Sequence, residues 1–127
     1  MNWLLVACGG ALGAMSRYGL GLYISQPSHI FPWATWWINI IGCLCAGIFF
    51  ALSQSFPTLQ QEARLLLMVG VLGGFTTFSS FGLETFLLLK QGQWPLALTY
   101  ALSSLFIGVI ALAIGYALLQ LLFSVRT

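Results

Sequence analysis

Charge is what this chain has least of. Only 5% of its 127 residues are charged: Arg17, Glu62, Arg64, Glu84, Lys90 and Arg126, with His29 as the single histidine. A soluble domain carries roughly a quarter charged residues, and so few cannot cover a water-facing surface. With two carboxylates and one histidine there is no clustered acid, base and nucleophile, which an intramembrane enzyme would require, so catalysis is not expected. The net charge of +2 has no basic stripe behind it, which argues against a nucleic-acid groove. Cysteine is sparse too. Cys43 and Cys45 point to different sides of a helix, and a structural zinc site wants more ligands at other spacings. With Cys8 they read as buried thiols. What is abundant is apolar: 60% hydrophobic residues, 15% aromatics and a mean hydropathy of +0.99. The composition is that of an integral membrane protein.

A helix needs about 20 apolar residues to cross the hydrocarbon core. Four stretches qualify, at about 3–24, 31–53, 63–89 and 94–123, and they leave no room for a soluble domain. The first has no Lys or Arg before it and is too long for a signal peptide's apolar core, so it reads as a retained helix. Gly9 and Gly13 give it a small-residue face for close contact. Gln26-Pro27-Ser28 breaks the chain. Trp33, Trp36 and Trp37 cluster at the start of the second stretch, where interfacial tryptophans gather. A loop around Pro57 follows. Pro95 opens the fourth stretch, in the first turn, where its missing N–H costs nothing, and that stretch ends near Arg126. The third stretch is not uniform. Gly70-Val71-Leu72-Gly73-Gly74-Phe75-Thr76-Thr77-Phe78-Ser79-Ser80-Phe81-Gly82 combines paired glycines with hydroxyl residues, which weakens a helix at its middle.

Four spans place both termini on one side. Arg64 and Arg126 lie with the termini, Arg17 and Lys90 opposite. Orientation follows the Lys/Arg bias between flanking loops, and here that bias is absent. The count allows insertion both ways, with two opposed copies forming the inverted pair that transporters often encode as an internal repeat. The alternative is one orientation set by features outside the count.

Polar residues inside a membrane are expensive and each is a functional candidate. At Gly73 to Phe81 two readings stand. Backbone unwound at membrane depth has carbonyls that protein, water or an ion must satisfy, and broken transporter helices use them for cations. Alternatively the segment is a packed kink with hydroxyls bonded back to the preceding turn. Phe75, Phe78 and Phe81 recur every three residues and form a stripe, either lipid or core contact or a set of rings whose positive edges meet a small anion in a narrow path. A weak, serial site of this kind suits conduction. Asn39 is either interhelical glue, worth about 1 kcal/mol, or a donor to a dehydrated anion. Tyr100 and Ser104 share a helix face, and with Ser103 they line a polar track or cap packing contacts. Glu84 either snorkels or pairs with a cation, or carries protons. Arg17 snorkels or lends positive potential to a vestibule. His29 sits in a Pro-containing loop and reads as a surface residue.

Gly73-Gly74-Phe75-Thr76-Thr77-Phe78-Ser79-Ser80-Phe81 with Glu84 resembles the GG-x-TTFS-x-F signature of the CrcB/Fluc fluoride channels. Gly13 to Tyr18 resembles their first-helix G-x-x-x-R-[WY], and Asn39 with Gly42 their second-helix N-x-x-G. The resemblance runs the whole chain; the third-helix motif is specific and the other two are weak alone. Phe75 stands where Leu is commoner, and Ser80 where Thr is. The resemblance implies an all-α membrane protein: one channel domain over 1–127, four transmembrane helices with the third broken, and an antiparallel dual-topology homodimer in a bacterial plasma (inner) membrane. It implies passive fluoride export that gives fluoride resistance. Phe78 and Phe81 would be the pore phenylalanines and Asn39 the pore amide. Thr77, Ser80, Tyr100 and Ser104 would be polar pore or supporting residues. The main-chain carbonyls of Gly73 and Thr76 would hold a structural sodium ion at the dimer centre. Arg17 and Glu84 match family positions without an assigned step.

Two other classes compete. A small multidrug exporter is also a four-helix dual-topology dimer, but depends on a carboxylate in its first helix, and none is present here. A structural subunit would conduct nothing.

Overall fold

The computed structural model describes residues 1–56 and 60–124; Pro57 in the expected second loop and Arg126 beyond the last helix lie outside them. All regular structure among the described residues is helical. Helix α1 spans Asn2–Ile24 and α2 Trp33–Ser55. The third segment, α3, joins Gln60–Ala63, a π-wound stretch Arg64–Leu72 and Gly73–Phe75. Helix α4 spans Phe78–Lys90 and α5 Trp94–Ser124. Helix suits an apolar environment, because it satisfies its own backbone polar groups within one segment.

Three helical stretches are long and apolar enough to cross a membrane: Trp33–Ser55, Gln61–Lys90 and Trp94–Phe123. The expected first span, 3–24, is a helix of 23 residues but is not among the three. Its glycines, with Ser16 and Arg17, dilute its hydropathy. The second helix starts at Trp33 rather than Phe31, since Pro32 is its N-cap. Between Lys90 and Trp94 the turn closes on Gly92, whose φ of 75° lies in the region glycine adopts without steric cost.

Two pairings organise the molecule: α2 on α5 and α1 on the π-wound stretch of α3. Both depend on missing side chains. A Cβ at Gly47 would strike the Leu112 carbonyl, and one at Gly115 the Leu44 carbonyl. A Cβ at Gly9 would strike the Leu66 carbonyl, and one at Gly13 the Val71 carbonyl. The small-residue face expected on α1 is therefore its buried face, with Gly9 and Gly13 its buried residues. The core gathers Trp36, Ile40, Leu88, Ala97, Tyr100 and Ala111, at the junction of α2, α4 and α5. Cys8, expected buried, is exposed on this single chain, and Cys43 and Cys45 are half-buried. Apolar neighbours in sequence mark a thiol as lipid-compatible without saying that protein covers it.

Candidate functional site: the interrupted helix and its cleft

The helical path stops at two residues. Thr76 has φ −80° and ψ 155°, and Thr77 φ −148° and ψ 116°. Both are extended. The backbone groups freed by this break have identifiable partners. The Thr77 N–H donates to Asn39 Oδ1 at 3.0 Å, and Asn39 Nδ2 donates to the Thr77 carbonyl at 3.2 Å. One amide side chain on α2 thus pairs with both polar groups of one residue, replacing what the helix would have supplied. The amide has a second Nδ2 hydrogen beyond this pair. Thr77 also caps α4: its Oγ1 accepts the Ser80 N–H at 3.2 Å and donates to Ser80 Oγ at 3.1 Å. This is the side-chain N-cap that an exposed helix start requires.

The carbonyls of Gly73 and Thr76 are among those that lose their helical donors at the break. In an unbroken α-helix the carbonyl of Gly73 would accept from the N–H of Thr77, and that of Thr76 from the N–H of Ser80. Both donors are engaged by side chains instead. Thr76 itself stays tied to the preceding turn: its N–H and Oγ1 both donate to the Leu72 carbonyl, at 2.9 and 2.8 Å. Gly42 of α2 makes room here, since a Cβ on it would strike the Thr76 methyl.

Beside the break lies a cleft of about 400 Å³, lined by Asn39, Gly42, Cys43, Ala46, Leu72, Thr76, Thr77, Phe78, Phe81, Ala101, Ser104 and Leu105. Of the residues singled out from sequence, Asn39, Thr76, Thr77, Phe78, Phe81 and Ser104 meet here. Ser80 lies behind Thr77, and Tyr100, Glu84, Gly73 and Arg17 do not line the cleft. Phe78 is 84% exposed and its ring lies 5.6 Å from that of Phe81. Phe81 packs in turn on Tyr100 at 5.2 Å. Ser104 Oγ is buried without a hydrogen-bond partner. Cys43, one helical turn beyond Asn39, also faces the cleft, although the sequence marked it only as a buried thiol. Its spacing from Asn39 carried that signal.

Behind Phe81, Glu84 is held by hydroxyls rather than by the cation considered from sequence. Thr35 Oγ1 donates to Oε1 and Tyr100 OH to Oε2, each at 2.7 Å. Tyr100 is fully buried, so its hydroxyl serves the carboxylate. Thr35 was not anticipated: it stands directly before the tryptophan pair, and nothing in its local sequence points 49 residues ahead to Glu84. Trp36 Nε1 donates to Ser103 Oγ at 3.0 Å, which places Ser103 in a packing contact.

These features define a class: a multi-pass helical membrane protein with an interrupted helix beside an aromatic and amide-lined cleft. The family model described as CrcB-like protein, Camphor Resistance (CrcB), matches residues 4–116, and the chain belongs to that family. A fluoride-specific ion channel FluC of Thermus thermophilus is 49% identical over 118 residues, 92% of each chain. The protein of the same name from Chloroflexus aurantiacus is 45% identical over 118 residues, 92% of this chain and 94% of that one. That of Nitrobacter winogradskyi is 41% identical over 126 residues, 96% of this chain and all of its own. With its apolar helices and these relatives, this is a bacterial multi-pass membrane protein.

Proposed function

We propose that this chain is a passive fluoride channel, a single transmembrane domain over 1–127 that works as an antiparallel dual-topology homodimer. The observation that carries the reading is the cleft, in which the Phe78–Phe81 ring pair, the Asn39 amide and the unpartnered Ser104 hydroxyl converge. Ring edges, N–H and O–H groups are weak donors to an anion. Together they replace part of its hydration without a full positive charge that would trap it. The names of the relatives support fluoride as the anion. Four spans cross the bilayer, with α3 and α4 as the two halves of the third, and the exposed face of Phe78 is met by the second copy. Thr77 and Ser80 hold the broken backbone open. Export needs no energy source: a negative-inside potential drives an anion outward by about 2.3 kcal/mol per charge per 100 mV.

The carbonyls of Gly73 and Thr76, relieved of their helical donors, fit a hard monovalent cation, which takes oxygen ligands from unwound backbone. We assign them to a structural sodium ion shared between the two copies. When bound it supplies a fixed positive charge at the dimer centre. Asn39 orients the break that presents these carbonyls.

The test is efflux from liposomes holding purified protein, read with a fluoride electrode, in sodium and then in a large organic cation. Fast fluoride efflux without chloride efflux in sodium, reduced in the organic cation, is the expected result. Silence in both from an intact dimer would overturn the channel reading. Phe78→Ile and Phe81→Ile are each expected to block flux in a folded dimer; normal flux in both would remove the rings from the pathway.

A further inference from the structure

The loop between α1 and α2 lines a second, smaller cavity of about 120 Å³. Its walls include Ser25, Gln26, His29, Phe31 and Glu84. This vestibule and the cleft share no lining residue but are joined by side-chain contacts. Glu84 holds the Tyr100 hydroxyl at 2.7 Å, and the Tyr100 ring contacts both Phe31 of the vestibule at 5.4 Å and Phe81 of the cleft at 5.2 Å. Both Glu84 oxygens accept from hydroxyls, and hydroxyl dipoles do not cancel the charge that a carboxylate carries.

We propose that His29 and Glu84 form a proton-controlled mouth for the anion path, resting on the channel reading above. Histidine is the side chain that changes charge between about pH 5 and 8. Neutral His29 leaves the vestibule with the negative charge of Glu84, which repels an approaching anion. Protonated His29 offsets that charge and draws anions in, because a narrow mouth with low-dielectric walls focuses the field. Among the described residues that line the vestibule, no other strong charge intervenes. The α1 end and loop contribute Ile24, Ser25 and Gln26, and the start of α2 contributes Trp33 and Ala34, none of them ionisable at these pH values. Across α2 and α5, Glu84 meets the hydroxyls of Thr35 and Tyr100. His29 is exposed and its backbone N–H is tied to the Gln26 carbonyl at 3.1 Å, so the ring is accessible to protons while its backbone is anchored. With opposed copies, each side of the membrane would have one such mouth, and acid outside would charge only the outer one.

The experiment is initial fluoride efflux from proteoliposomes between about pH 5.5 and 8, with leak from protein-free vesicles subtracted. Wild-type efflux is expected to rise several-fold as pH falls, and His29→Gln to match wild type at the alkaline end and stay flat. A His29→Gln slope equal to wild type would assign the titration elsewhere and overturn the proposal. Flux that is present but independent of pH in wild type would overturn it while leaving the channel intact. Absence of flux at every pH would sink the channel reading and the mouth with it.

Discussion

Two seams in this molecule solve opposite problems. Between α1 and α3 the chain removes side chains: Gly9, Gly13, Gly70 and Gly74 bring backbone against backbone, and contact is by packing alone. Between α2 and the interrupted helix it adds polar ones: Asn39 bonds Thr77 twice, and Thr35 meets Glu84. In the first seam the helical backbone satisfies itself, so close approach costs nothing polar and adds dispersion contacts. In the second the backbone is open, and each freed group needs a named partner. Small residues therefore read as a lesson about shape, and amide or hydroxyl residues as a lesson about unsatisfied backbone.

Substitutions separate the two. Gly13→Leu is expected to have the largest effect, because the atoms a side chain would meet are backbone and cannot swing away. A cost of about 3 kcal/mol or more would appear as loss of the monodisperse folded protein in detergent. A wild-type melting temperature would show that α1 does not pack here. Asn39→Leu comes next. It strands the Thr77 N–H and carbonyl, at about 1–3 kcal/mol for each buried group, and is expected to lower the melting temperature and abolish fluoride flux together. Asn39→Asp keeps the acceptor for the Thr77 N–H and loses the donor to its carbonyl, so flux falling further than stability would sharpen the assignment. Tyr100→Phe keeps the ring contacts with Phe31 and Phe81 and deletes one donor to Glu84. A hydrogen bond to a charged group is worth about 1.5–3 kcal/mol, and a thermal melt reads it. Gly19→Ala is the smallest, since a Cβ there meets nothing within 4 Å. Alanine in a helix is favoured over glycine by about 0.5–1 kcal/mol, so stability is expected to hold or rise slightly. A large loss would place a partner against that face of α1.

Legibility from sequence followed the same division. Gly9 and Gly13 were readable as a contact face because helical spacing puts them on one side. The weak point at Gly73 to Phe81 was readable because glycine pairs and hydroxyls disfavour helix. Phe78 and Phe81 came to the cleft, and so did Asn39 and Ser104. Tyr100, placed on the same helix face as Ser104, points its hydroxyl to Glu84 instead. A residue one turn along a helix shares a face but not a neighbour, and the incoming α4 decides which hydroxyl is covered. Glu84 held by hydroxyls was not readable for the same reason, and Cys8 on the surface was not, because apolar neighbours in sequence do not say what covers a thiol.

Composition alone determined that the chain enters a membrane, since so few charges cannot solvate its surface, and its continuous apolar runs of about 20 residues pointed to helices rather than to the alternating strands of a barrel. Local sequence determined where helix is weakest. Which groups repair that weakness was decided only by tertiary structure. Asn39 stands 38 residues from Thr77, and Thr35 stands 49 from Glu84. Hydrogen bonds at such separations depend on how α2 seats against α4 and α5, a distance-sensitive outcome of packing that no periodicity along the chain encodes.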